Sequence, residues 1–235
     1  MVAKMNYFAA LLLVSALAVA GFAKPEYRYV YLPKAGGPQL KTAVWLHGYR
    51  GYPSVIKETY FQEFADRLNI AIVGFPATTD LGDDTQQWSE EPSADHAYIQ
   101  ERLAALAKEH NLDCSRVALF GFSQGAMVAA DLCSRYPDSY AGAIIMSPGG
   151  MTNPHPATTP VLLHKNQSFW VVCMADEHPG NVELTRFYAK HLKALGTQVT
   201  KIEYPGIKEH TRPPDFKERF PEWIAAILKI EAKKD

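Results

Sequence analysis

Along the chain, short unbroken apolar runs alternate with longer segments in which apolar residues recur every three or four positions. The runs YRYVYLP, TAVWLH (Thr42 to His47), IAIVGFP (Ile70 to Pro76), RVALFGF, GAIIMS, FWVVCMA and QVTKIEY predict strands, several of them apolar on both faces. Between them the spacing predicts helices over Val55–Leu68, over Asp95–His110 with Ile99, Leu103 and Leu106 on one face, after Ser123, and over Val182–Leu195. A last helix carries Phe216, Phe220, Trp223, Ile224, Ile227 and Leu228. Strand followed by helix throughout predicts an α/β fold, with a mostly parallel sheet covered by helices on both faces. The polar stretch ATTDLGDDTQQWSEEPS is too long for a bare connection and reads as a binding loop.

Composition narrows the classes. With 235 residues, 47% hydrophobic and 21% charged, the chain can bury one substantial core, so a single domain is expected. Net charge is -1 and no basic run stands out beyond the terminal EAKKD, which argues against a nucleic-acid partner. The first residues differ from the rest: MVAKMNYFAALLLVSALAVAGFAKPE joins a basic start at Lys4 to an apolar stretch ending in small residues. That is the layout of a signal peptide over residues 1–23, cleaved after Ala20 or Ala23, with residues 24–235 forming the mature domain. The apolar stretch falls short of the roughly 20 residues that span a bilayer, so no stable membrane insertion is expected after cleavage. An exported protein, periplasmic or extracellular, is the expectation.

Export permits disulfides, and there are three cysteines. Cys114 precedes the strand leading to Ser123, and Cys133 ends the following helix, so the chain returns over about the distance it advanced. A Cys114–Cys133 bridge and two free thiols both remain open. Cys173, inside FWVVCMA, reads as a buried small hydrophobe.

The candidate chemistry centres on GFSQG, Gly121 to Gly125. A serine between two glycines at a strand-to-helix junction is the pattern of a sharp turn that holds the hydroxyl outward. A serine hydroxyl is a weak nucleophile until a base takes its proton, and the base needs an acid to orient it. After a later strand, Asp176 is the expected acid, with Glu177 beside it as the alternative. His210, after the last strand and before the last helix, is the expected base. Backbone N–H groups for a developing oxyanion are expected from Gln124 and, after the turn at His47-Gly48, from Tyr49. Trp88, with Gln86 and Gln87, either borders the substrate pocket or anchors its loop, the second reading being preferred. The other histidines have no partner spacing typical of zinc, so neither metal nor cofactor is expected.

The segments VWLHGYRG, RVALFGFSQGAMVAADL, GAIIMSPG and KALGTQVTKIEYPGIKEH, with the strand ending at Asp176, resemble the α/β-hydrolases. Within these, they are similar to the phospholipase/carboxylesterase group that includes acyl-protein thioesterases. The resemblance implies an α/β-hydrolase fold without a large cap domain, a Ser123–Asp176–His210 triad and oxyanion donors at Tyr49 and Gln124. It also implies a serine carboxylesterase acting on small-molecule or polymer-linked esters. A thioesterase, lipase or peptidase of the same fold, or a non-catalytic binding protein, are the alternatives. Two departures concern the acid: members of the group carry a glycine three residues before it and a Val-Pro pair after it, where this chain has Cys173 and EHPGN. The leader also separates the chain from palmitoylated cytosolic proteins, whereas esterases of feruloyl, acetyl-xylan or polyester type share this layout and are often exported.

Overall fold

The computed structural model describes residues 29–51, 59–82, 85–89, 91–151, 154–157 and 166–231. The expected signal peptide and the first residues of the expected Val55–Leu68 helix lie outside the described residues. The elements run β1 (Tyr29–Tyr31), β2 (Leu40–Leu46), α1 (Thr59–Leu68), β3 (Ala71–Gly74), β4 (Thr79–Gly82), β5 (Thr85–Gln87) and α2 (Pro92–His110). They continue with β6 (Leu112–Phe122), α3 (Gln124–Arg135), β7 (Tyr140–Met146), β8 (Ser168–Met174), α4 (Pro179–Ala194), β9 (Gln198–Tyr204) and α5 (Phe216–Leu228).

Among the described residues, seven strands form one sheet in the order β1-β3-β2-β6-β7-β8-β9. Within it β1 runs antiparallel to its neighbour and the other pairings are parallel. This is the mostly parallel α/β arrangement that the strand–helix alternation predicts. The period of two along each strand splits the core. Val44, Leu46, Val117, Leu119, Ala143 and Ile145 face the layer formed by α2, α3 and α4. Ala43, Trp45, Ala118, Phe120, Ile144 and Met146 face α1 and α5.

The α1/α5 side is aromatic. Phe64 stacks on Phe220 with centroids 4.7 Å apart, and Phe120 meets Phe220 edge-on at 4.9 Å. Each such ring contributes about 2–3 kcal/mol by burial, so this cluster clamps α5 over the middle of the sheet. Helix α2 starts on Pro92, whose missing N–H costs nothing in a first turn, and stops at Asn111, which takes the left-handed conformation at φ 53.

The described part of the long polar segment has strand structure of its own. It folds into the two-stranded β4–β5 hairpin, and Gln86 pairs with Gly51 in the loop after β2, its N–H donating to Gly51 O at 3.1 Å.

All three cysteines are free thiols, and a Cys114–Cys133 bridge does not form. The reason is lateral: the Cys114 thiol lies against Thr42 Oγ1 of β2 at 3.6 Å, whereas Cys133 packs toward Gly142 of β7. These strands flank β6 on opposite sides, so matching advance and return along β6 does not bring the sulfurs together.

Candidate active site

The carboxyl ends of β2, β6, β7 and β8 converge where the chain turns from Phe122 to Gln124. Ser123 occupies that turn at φ 55 and ψ -120, a conformation that a residue with a side chain adopts only under strain. The flanking glycines explain why the strain persists. A side chain at 121 would collide with the Gly125 carbonyl, and one at 125 with the Leu46 carbonyl. The close approach of β2, β6 and α3 therefore forces the turn. Backbone bonds hold it, since Ser123 N–H donates to Met146 O at 3.0 Å and Gly149 N–H to Ser123 O at 3.3 Å.

The loop after β2 closes over this turn. A β-carbon at Gly48 would stand 3.2 Å from Ser123 Cβ. One at Gly150 would stand 3.3 Å from Tyr49 Cβ, 3.5 Å from Gln124 Cβ and 3.7 Å from Ser123 Oγ. Tyr49, Gln124 and the serine hydroxyl thus gather round one point. Gln124 opens α3, where the first N–H groups lack partners within the helix and carry its partial positive charge.

Trp88 is completely buried, so it does not line an open pocket. It anchors: its indole N–H donates to His47 O at 2.9 Å, its backbone N–H to Gln124 Oε1 at 3.0 Å, and Gln124 Nε2 donates back to Trp88 O at 3.3 Å. His47 is buried too, which pushes its pKa down to about 4, although its hydrogen bond to Gly48 works the other way. The neutral ring donates from Nδ1 to Gly48 O at 2.8 Å and supports the loop rather than titrating.

The structure does not bring the expected acid, Asp176, to His210. That carboxylate turns outward and its Oδ2 accepts from Gly206 N–H at 2.6 Å, tying the turn after β8 to the turn after β9. Glu177 takes the inward place. Its Oε1 accepts from Met174 N–H at 3.1 Å, and its Oε2 accepts from His210 Nδ1 at 2.6 Å and from Asn181 Nδ2 at 3.0 Å. The physical reason lies in the turn: Glu177 N–H bonds back to Met174 O, so consecutive side chains leave on opposite sides, and the longer glutamate reaches the imidazole. Burial alone would raise the Glu177 pKa; hydrogen bonds from Asn181, His210 and the Met174 N–H work against it, and the carboxyl is held below its usual range.

The His210 ring lies 4.5 Å from the Phe122 ring, centroid to centroid, on the residue preceding Ser123. With Nδ1 donating to Glu177, Nε2 is left as the acceptor. Three other histidines have structural occupations. His96 stacks on Tyr136 at 3.7 Å, His178 accepts from Gly180 N–H at the start of α4, and His191 donates to Ala157 O at 2.9 Å. Among the described residues no group of three or more His, Cys, Asp or Glu side chains is arranged to hold a metal ion.

Asn181 was not singled out by the sequence. The one available signal was its position four residues after Glu177 in a helical first turn, where side chains at that spacing meet.

The α/β arrangement is that of the α/β-hydrolases. The model of the phospholipase/carboxylesterase family matches residues 78–226, more than half of the chain. The chain belongs to this family. Solved structures share the fold. A thermostable esterase aligns with TM-score 0.61 and 20% identity over 86% of this chain and 58% of its own. A Bacillus cereus carboxylesterase aligns with TM-score 0.62 and 17% identity over 85% and 93%. A ferulic acid esterase aligns with TM-score 0.66 and 16% identity over 85% and 92%. The chain thus spans about three fifths of the length of the thermostable esterase, and of a Bacillus cereus ATCC 10987 protein aligned with TM-score 0.65 and 21% identity. A search of curated protein sequences finds no significant match.

Proposed function

We propose that this chain is a serine carboxylesterase whose working groups are Ser123, His210 and Glu177, with backbone N–H groups of Tyr49 and Gln124 receiving the oxyanion. The observation that carries the reading is the 2.6 Å contact between His210 Nδ1 and the buried Glu177 carboxylate, set beside the strained turn that holds Ser123.

The steps follow from these positions. Ser123 Oγ attacks the acyl carbon while His210 Nε2 takes the hydroxyl proton. The carbonyl oxygen becomes an anion facing the two N–H groups, a class of interaction worth several kcal/mol in the transition state. The alcohol leaves with the proton from His210, and an acyl-serine remains. Water then attacks with His210 again as base, releasing the carboxylic acid and restoring the hydroxyl. Glu177 keeps the imidazole in the Nδ1–H form and stabilises it when charged. The family and the esterase neighbours support a small-molecule ester substrate. The leader-like residues 1–23 support action outside the cytoplasm.

Hydrolysis of p-nitrophenyl acetate by the wild type and by Ser123→Ala tests the reading. The variant should lose on the order of 10⁴-fold or more in kcat. An inactive wild type, or a variant with wild-type kcat, overturns it.

A further inference from the structure

We propose that Asn181 is a positioning residue for the acid–base pair: its carboxamide, wedged between Gly149 and Glu177, fixes the carboxylate orientation that aims His210. The inference rests on the serine-hydrolase reading above and goes beyond it by adding a fourth side chain.

A carboxylate turns easily about its terminal bond, because that torsion is broad and two-fold. Glu177 therefore points correctly only if donors define both oxygens. Met174 N–H defines Oε1. For Oε2 the donors are His210 and Asn181. His210 cannot set the orientation on which its own aim depends, since its side chain is 36% exposed at the rim while that of Glu177 is 0% exposed. Asn181 can. Its backbone is fixed in the first turn of α4, with its N–H on His178 O at 2.9 Å and its carbonyl accepting from Thr185 Oγ1 at 2.9 Å. Its Nδ2 also lies 3.1 Å from His210 Nδ1, so two N–H groups converge on the same carboxylate oxygen.

The other flank of the wedge is Gly149. Its φ lies outside the left-handed region, so glycine is not needed there for backbone conformation. Space is the reason: any side chain at 149 would strike Asn181 Oδ1. Gly149 is also bonded through its N–H to Ser123 O, so the Asn181 carboxamide joins the turn bearing the acid to the turn bearing the nucleophile.

Steady-state hydrolysis of p-nitrophenyl acetate across pH by the wild type, N181A, G149A, the N181A/G149A pair and N181D tests the inference, with thermal unfolding of each as the check on folding. N181A should lower kcat about tenfold with KM within about twofold, as expected for losing a hydrogen bond to a charged group. G149A, which displaces the carboxamide without deleting it, should act in the same direction. The pair should be no worse than N181A alone, because both changes remove one contact. N181D sets a second carboxylate beside the imidazole and should move the acidic limb of the kcat/KM profile to higher pH. Wild-type kcat in N181A, a loss confined to KM, or additive losses in the pair overturn the inference. Should N181A not fold, wild-type kcat in G149A does the same. An inactive wild type instead brings down the serine-hydrolase reading, a failure visible before any variant is made.

Discussion

The two halves of the candidate site are built differently. The nucleophile half, where β6 turns into α3, is set by backbone against backbone: Gly121 on Gly125, Gly125 on Leu46, and Trp88 tying α3 to the loop after β2. The acid–base half is set by side chains at the sheet rim. There Asp176 and Glu177 are adjacent, and hydrogen bonds to Gly206, Met174 and Asn181 decide which one meets His210. Steric exclusion leaves one solution and marks itself with glycines. A choice between neighbouring carboxylates leaves no such mark.

Among variants that keep Ser123, the largest effect is expected on the rim. Glu177→Gln keeps the size but loses the charge that holds the imidazole, and kcat should fall on the order of 10⁴-fold. Asp176→Asn should cost less than about threefold, since its partner is a backbone N–H away from the imidazole. Kinetics of the two variants side by side measure the contrast, and the reverse order would break the comparison.

On the scaffold, Gly125→Ala should cost stability before chemistry. The added methyl meets the Leu46 carbonyl, which cannot yield without moving β2, and about 2–3 kcal/mol should be lost in denaturant unfolding. Wild-type stability in this variant would mean that the elbow is less tightly closed than its geometry implies.

The smallest effect concerns pH. Behind the elbow, burial pushes the Asp95 carboxyl up to about 6, against hydrogen bonds from Ser89 and Thr78. Its folded pKa lies above its unfolded value, so the folded state holds the proton longer, and stability present at acid pH is lost as pH rises from about 4 to about 6. Asp131, also pushed up by burial, to about 7, adds a loss of the same sign. Asp95→Asn keeps an acceptor for both Thr78 and Ser89 and should remove its share of this loss, so that Tm at pH 6 relative to pH 4 is higher in the variant than in the wild type. An unchanged difference would show that Asp95 carries no buried proton.

This contrast also governs what the sequence reveals. Strand–helix alternation and apolar periodicity are repeated signals, and they foretold every strand of the main sheet and its helices to within a few residues. GFSQG announced its turn because only glycine fits the two approaches. The hairpin β4–β5 stayed hidden because its strands are short and polar, and their pairing with Gly51 is long-range. The cysteine geometry stayed hidden because distance along a strand says nothing of sideways displacement. Which carboxylate meets His210 stayed hidden because Asp176 and Glu177 are adjacent on the same turn. Asn181 has the same difficulty, since only the folded turn brings it to Glu177.

The most direct measurement is covalent labelling of the purified protein with a fluorophosphonate, followed by mass-spectrometric mapping of the adduct. An elbow serine activated by a glutamate-held histidine predicts one adduct, on Ser123, forming much more slowly in Glu177→Gln and at close to the wild-type rate in Asp176→Asn. No adduct, an adduct elsewhere, or equal labelling rates in Glu177→Gln and the wild type would contradict it.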